Sequence, residues 1–232
     1  MLTPLLLAAV LGYVLGSLPF GYLVARAKGV NIFEVGSKNP GATNVRRVLG
    51  SGPGNLVLFL DALKGAVASA WTLLRFRDSA ASGSTEAGAT FLNLPVSGEG
   101  WAAMGIAGLV GALLGHSFSC FTKFKGGKGV ATGAGGFLVL FPFGMVIALA
   151  VFGLTLAVTR YVSLSSMLGA IALAIAAIAL KASTFLVGAT GAVALFVLLR
   201  HRTNISRLLE GTESKVGQSK SSSPTSPSAP KS

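Results

Sequence analysis

One apolar run of about 20 residues after another constrains this chain more than any other feature, because a helix needs about 20 residues to cross the hydrocarbon core of a bilayer. The runs do not alternate polar and apolar positions, so the tilted strands of a membrane barrel are excluded. A backbone facing lipid must satisfy its own hydrogen bonds, and a helix does so within a single segment. Charged residues are 11% of the 232 positions and apolar ones 52%, whereas soluble domains carry about 25% charge. There is too little charge to cover a water-facing surface. A soluble globular domain, a disordered chain and a disulfide-rich secreted module are all set aside. The expectation is an all-α integral membrane protein.

The runs cover about Leu5–Val24, Gly54–Leu74, Gly100–Phe118, Val130–Thr159, Ser163–Leu180 and Thr184–Leu199. The first has no basic leader region and stays apolar past any cleavage point, so it reads as a retained helix. Val130–Thr159 is too long for one span, and Phe141-Pro142-Phe143-Gly144 reads as a tight turn between two short helices. The basic residues arbitrate between six and seven spans. With seven, one side collects Arg26, Lys28, Lys38, Arg46, Arg47, Lys123, Lys125, Lys128, Arg160 and the six cations from Arg200 onward. The other side keeps Arg75, Arg77 and Lys181. With six spans the bias vanishes, so the cytoplasm-positive rule selects seven, with the N-terminus outside and the C-terminus cytoplasmic.

Residues 1–216 are expected to form the membrane domain. Residues 217–232 form a Ser/Pro-rich cytoplasmic tail expected to be disordered. The connector from about Arg75 to Glu99 reads as solvated and variable. Cys120 is the single cysteine, which excludes an intrachain disulfide; it reads as a small apolar filler.

Three segments on the positive side carry chemistry. Gly36-Ser37-Lys38-Asn39-Pro40-Gly41-Ala42-Thr43-Asn44-Val45-Arg46-Arg47 combines backbone access, hydroxyls, amides and two guanidinium forks, a composition suited to phosphate oxygens. It is equally readable as a polar turn whose arginines set orientation. Phe124-Lys125-Gly126-Gly127-Lys128-Gly129-Val130-Ala131-Thr132 opens directly into a span, so free N–H groups and a helix dipole face whatever sits there. It is not a Walker A loop, because Thr122 stands at the first glycine position and Gly129 follows the lysine. A glycine hinge with snorkelling lysines is the plainer alternative. In the third segment, Arg200 to Glu213, a continuing helix would put His201 and Asn204 on one face, with Arg207 a turn further.

Asp61 and Lys64 lie three apart inside a span, and a structural ion pair is the favoured role over a functional one. His116 reads as a satisfied histidine. Ser163, Ser165 and Ser166 either donate to a ligand or cap a helix. There is no HExxH, no paired His/Cys set and no Ser/His/Asp arrangement, so neither metal nor cofactor is expected. The cations lie beside spans without interleaved aromatic platforms, so nucleic acid is not an expected partner. The residues alone lead to a membrane protein that binds a small phosphorylated compound at the cytoplasmic interface, whether to transport it or transform it.

GSKNPGATNVRR (Gly36–Arg47), GHSFSCFTKFKGGKGVAT (Gly115–Thr132) and HRTNISRLLEGTE (His201–Glu213) resemble the three motifs of the PlsY family, bacterial membrane glycerol-3-phosphate acyltransferases that use acyl phosphate. Leu60–Gly65 and Arg160–Ser166 are similar to further family signatures, and the resemblance runs from about Leu11 to Lys215. It implies acyl transfer from acyl phosphate to the sn-1 hydroxyl of glycerol 3-phosphate, giving lysophosphatidic acid and phosphate. It also implies a multi-pass protein of the bacterial inner membrane with a cytoplasmic active site. The partners implied are those two substrates and membrane lipid, with coupling to an enzyme that makes acyl phosphate. Carried over by position, Ser37, Arg47, Lys128, His201 and Asn204 would be catalytic. Asn39, Gly41, Thr43, Asn44, Gly126, Gly127, Gly129, Ser163 and Ser166 would join them in holding phosphate, with Asp61, Lys64 and Glu213 as structural support. Two positions depart from the pattern: Ser119 stands where Pro is usual, and Lys38 where a small or neutral residue is frequent.

Overall fold

The computed structural model describes residues 2–73, 89–91, 94–96 and 98–217. Ten helices carry the architecture of these residues: α1 (Leu2–Ser17), α2 (Phe20–Arg26), α3 (Ala42–Leu49), α4 (Ser51–Ser69), α5 (Gly98–Ser117), α6 (Val130–Leu140), α7 (Pro142–Thr159), α8 (Val162–Ala179), α9 (Thr184–Arg200) and α10 (Arg202–Leu209). The long helices are apolar around their whole circumference, so they have no water-facing side. Phe143, Leu154, Val158 and Ile178 are each at least 65% exposed on their outer faces. In an integral membrane protein lipid covers such a belt.

Leu2–Arg26, Gly100–Thr122, Pro142–Thr159 and Val162–Ala179 are each long and apolar enough to cross a bilayer alone, and Thr184–Arg200 qualifies together with Arg202–Leu209. Helix α4 has the length, at 19 residues, but carries Asp61 and Lys64. Helix α6 has 11 residues, which at about 1.5 Å each fall short of a core about 30 Å thick.

Every expected span coincides with a helix or helix pair, with informative differences. The first breaks at Leu18-Pro19, where the ring cannot donate, and resumes as α2. The expected turn at Phe141–Gly144 is tighter than four residues: Phe141 alone leaves helical geometry and Pro142 opens α7. The all-α class holds, with one small addition within the connector read as variable: a two-stranded antiparallel ribbon, β1 (Ala89–Phe91) and β2 (Leu94–Val96). A two-stranded ribbon leaves one edge of each strand unpaired, so it tolerates Pro95. The rest of that connector and nearly all of the expected tail lie outside the described residues.

Helix α5 is the central strut, with α1, α4 and α6 against it; α7 packs on α8 and α8 on α9. With no hydrophobic drive between helices in lipid, close backbone approach supplies the packing. A Cβ at Gly12 of α1 would lie 2.1 Å from the Gly108 carbonyl oxygen of α5, and one at Gly65 of α4 would lie 1.9 Å from that of Thr132 in α6. Leu109, Leu113, Phe137, Leu173 and Val197 close the core below the polar end. The short amphipathic helices α3 and α10 do not enter that core and belong with the loops that carry the three motifs.

Candidate active site

The first motif is a loop held by its own side chains. Asn44 is buried, its Oδ1 accepting the Ser37 N–H at 2.8 Å and its Nδ2 donating to the Val35 carbonyl at 3.1 Å. Both ends of that amide are committed to the fold. Asn39 Oδ1 accepts the Gly41 N–H at 2.9 Å, which shapes the entry to α3. With the backbone fixed this way, Ser37, Thr43 and Arg47 are exposed. Lys38, the departure from the family pattern, is exposed too and adopts φ +57°.

In the second motif, Gly127 donates its N–H to the His116 carbonyl at 3.0 Å. A side chain there would have to displace the His116 ring, since a Cβ at Gly127 would lie 2.1 Å from His116 Nε2. The loop then turns through Gly129 at φ +78° into α6. Among the described residues, the N–H groups of Lys128, Gly129, Val130 and Ala131 have no protein acceptor. Helix starts of this kind bind anions.

The third motif does not continue as one helix. The chain bends by 58° between α9 and α10, with His201 at the corner, which corrects the expectation of a continuing helix. The two residues still share the interior, His201 at 2% and Asn204 at 5% exposure. After α10, Gly211 at φ +70° reverses the chain, and the N–H groups of Thr212 and Glu213 bond the Arg207 carbonyl at 2.8 and 3.1 Å. This reversal returns Glu213 to the site.

Glu213 is the hub. Its Oε1 accepts from Asn204 Nδ2 at 2.6 Å and Ser163 Oγ at 2.8 Å, and its Oε2 from Arg207 Nε at 2.8 Å. These partners hold its carboxyl below the usual carboxylate range despite burial. Asn204 Oδ1 accepts from Lys128 Nζ, so the second and third motifs meet directly. Burial first, with Arg207, Arg200 and Arg47 adding to it against the raising influence of Glu213, lowers the Lys128 ammonium to about 8. The charge of Arg47, in the first motif, is felt at the same ammonium. His201 Nδ1 lies 2.8 Å from the Val197 carbonyl. A carbonyl can only accept, so Nδ1 carries the proton and Nε2 keeps its lone pair. Burial, then Lys128, push this imidazole down to about 4, so it is neutral near pH 7.

Ser163 reaches Glu213, whereas Ser165 and Ser166 return their hydroxyls to Tyr161 and Val162 carbonyls of their own helix at 2.8 Å. Behind the glycine loop, Lys64 Nζ lies 2.9 Å from Asp61 Oδ1 and donates at 3.0 Å to the Leu18 carbonyl beside the break after α1. His116 Nδ1 sits 3.5 Å from Asp61 and 3.3 Å from Thr132 Oγ1, a satisfied histidine. Ser119 Oγ donates to the Ser17 carbonyl at 2.6 Å and accepts the Phe121 N–H at 3.2 Å, tying the loop to α1. Cys120 is exposed in the same turn, which corrects its reading as a filler.

Arg207 and Arg200 have partners that the sequence does not reveal. Arg207 pairs with Glu213, and Arg200 donates to the Gly127 carbonyl at 2.8 Å with its guanidinium 5.1 Å above the Phe118 ring. Both were counted as cations beside a membrane. Only their nearness to His201 and Asn204 in the chain signalled more.

Fold and site together define a polytopic helical membrane protein in which two distant segments, the glycine loop and the α9–α10 corner, meet in a cation-rich polar network. The glycerol-3-phosphate acyltransferase family model matches residues 6–211. Glycerol-3-phosphate acyltransferases of Trichormus variabilis and Geobacter sulfurreducens are 44% and 42% identical to this chain. The first alignment covers 90% of each chain, the second 93% of this one and 98% of the relative. The fold is similar to crystal structures of PlsY, an integral membrane glycerol 3-phosphate acyltransferase, in its glycerol 3-phosphate and lysophosphatidic acid forms. Their TM-scores are 0.74 and 0.72 at 32% identity, over 92% of this chain and 96% and 95% of theirs. The chain belongs to the PlsY family of glycerol-3-phosphate acyltransferases.

Proposed function

We propose that this protein transfers a fatty acyl group from acyl phosphate to the sn-1 hydroxyl of glycerol 3-phosphate, releasing 1-acyl-glycerol 3-phosphate and inorganic phosphate. The observation that carries the reading is the meeting of three cations around one carboxylate: Lys128 bonds Asn204, Asn204 and Arg207 bond Glu213, and Arg200 bonds the Gly127 carbonyl beside them. So much uncompensated positive charge at one point suits two phosphorylated substrates. The alcohol oxygen attacks the acyl carbonyl carbon, the carbon–oxygen bond to phosphate breaks, and its electron pair leaves on the phosphate. Acyl phosphate is a mixed anhydride, so the leaving group needs charge stabilisation more than protonation. Fixed cations and backbone donors provide that.

Ser37, Arg47, Lys128 with Gly126, Gly127 and Gly129, Ser163, His201 and Asn204 are assigned to the substrates, and Glu213 to holding Asn204 and Arg207. The proton of the attacking hydroxyl passes to a substrate phosphate oxygen, the protein aligning the two anions. His201 Nε2 is the alternative acceptor. The protein is assigned seven spans in the bacterial inner membrane, with the N-terminus outside and the site facing the cytoplasm, on the distribution of its basic residues.

The test is phosphate release by purified protein from palmitoyl phosphate, with and without glycerol 3-phosphate. Release that requires the acceptor, yields lysophosphatidic acid and collapses in Arg47→Ala and Lys128→Ala supports the assignment. No acceptor-dependent release from folded protein, with glycerol 3-phosphate uptake into vesicles, makes the protein a transporter instead.

A further inference from the structure

The glycine loop is clamped from two sides. His116 takes the Gly127 N–H on its carbonyl, as described above. On the other side Arg200, the last residue of α9, donates from one guanidinium nitrogen to the Gly127 carbonyl at 2.8 Å and lies 3.4 Å from that of Gly126. The guanidinium itself lies over Phe118, 5.1 Å from the ring centroid, and the Phe118 carbonyl accepts from Tyr13 Oη of α1 at 2.9 Å. In a trans peptide the carbonyl and the next N–H point in opposite directions. Fixing the Gly127 carbonyl therefore fixes the Lys128 N–H, the first of the run of donors that leads into α6. Glycines lose more conformational freedom on ordering than any other residue, so this loop has the most to lose if nothing restrains it.

We propose that Arg200 is a positioning residue of the anion site: its guanidinium sets the peptide planes of Gly126–Gly127–Lys128 so that the free N–H groups form a preorganised cradle for a phosphate group. The inference rests on the acyltransferase reading for its kinetic consequence but not for its binding consequence. Arg200 does not itself touch substrate. It joins the corner of the third motif to the loop of the second, so the bend at His201 and the shape of the cradle are set together.

The experiment uses full-length protein in detergent, with inorganic phosphate as the probe. Phosphate should raise the melting temperature of the wild type, and Arg200→Ala should lose that shift. In turnover, Arg200→Ala should lower kcat/KM by at least about tenfold, the scale of loss expected when a binding group is slightly misplaced. Added guanidinium ion should restore part of it, as relief of a folding defect would not. If Arg200→Ala fails to fold, Arg200→Lys decides: it keeps the charge but not the planar group that lies over Phe118 and aims one nitrogen at both carbonyls, and should lose both the shift and activity. A folded Arg200→Ala or Arg200→Lys protein with the wild-type phosphate shift and kcat/KM within about twofold of normal overturns the proposal. Wild-type protein that is stabilised by phosphate but never releases it from palmitoyl phosphate sinks the acyltransferase reading alone.

Discussion

Ser163, at the start of α8, donates its hydroxyl to the Glu213 carboxylate across 2.8 Å, and that carboxylate also holds Asn204 and Arg207. A single acidic group thus joins the α8 start to the α9–α10 corner and, through Asn204, to Lys128. Removing its charge while keeping its shape tests the hub. Glu213→Gln withdraws the influence that raises the Lys128 pKa and places an NH2 where either Arg207 or Asn204 needs an acceptor. Activity should fall by about 10²-fold, and the alkaline limb of the residual pH–rate profile should move below that of the wild type.

The Lys128 ammonium, lowered to about 8, is charged below that pH and lost as pH rises through it. Wild-type kcat/KM measured in limiting acceptor should therefore decline above about pH 8, and Lys128→Arg should push that decline to higher pH. The stability sign is opposite. Between about 8 and the ordinary value of 10.5 the unfolded chain binds more protons at this lysine, so its contribution to stability grows with pH there. Lys128→Met should thus be inactive yet melt at or above the wild-type temperature.

His201 is held near 4 and is neutral throughout the working range. If substrate phosphate takes the proton, the acid limb of the pH–rate profile reports a phosphate ionisation near 6. His201→Gln should keep that limb where it is while losing rate through misplaced groups. Disappearance of the limb in His201→Gln would favour the imidazole Nε2 as base.

Asp61 and Lys64, at 2% and 3% exposure, form a buried pair 2.9 Å apart. Lys64→Met alone leaves an uncompensated carboxylate and should cost about 3–5 kcal/mol. The double variant Asp61→Leu/Lys64→Met should cost markedly less, measured by thermal unfolding in one detergent. Equal or greater loss in the double variant would show that the Lys64 bond to the Leu18 carbonyl, not the pair, matters most.

Among the described residues, Val216 is the last held by hydrogen bonds: its carbonyl accepts from Arg160 Nη2 at 2.6 Å, and its N–H donates to the Arg160 carbonyl at 2.9 Å. Truncation after Gly217 should leave turnover unchanged. Truncation after Thr212 removes Glu213 and should abolish it, both judged in membrane-inserted protein.

The apolar runs, the Phe141-Pro142 break and the three motifs were legible because each depends on residues adjacent in the chain: hydropathy over one helix, a missing donor at proline, glycines where backbone must come close. The sequence also singled out Lys128, Asn204 and Glu213. Their connection was not legible, since a hydrogen bond between residues 76 positions apart leaves no local pattern. Arg200 and Arg207 show the limit best. In the sequence they are cations beside a membrane span, and no neighbouring residue names a partner for either.

By itself, then, the sequence determined a helical membrane protein with a cationic, phosphate-suited face, because solvent preference and backbone flexibility are properties of single residues and their near neighbours. Only the tertiary structure decided that the chain bends at His201, that Gly211 returns Glu213 to Asn204 and Ser163, and that Arg200 closes on the Gly127 carbonyl. Those contacts depend on how α9 and α10 lie against the loop before α6, and helix placement is set by close backbone packing spread over the whole bundle.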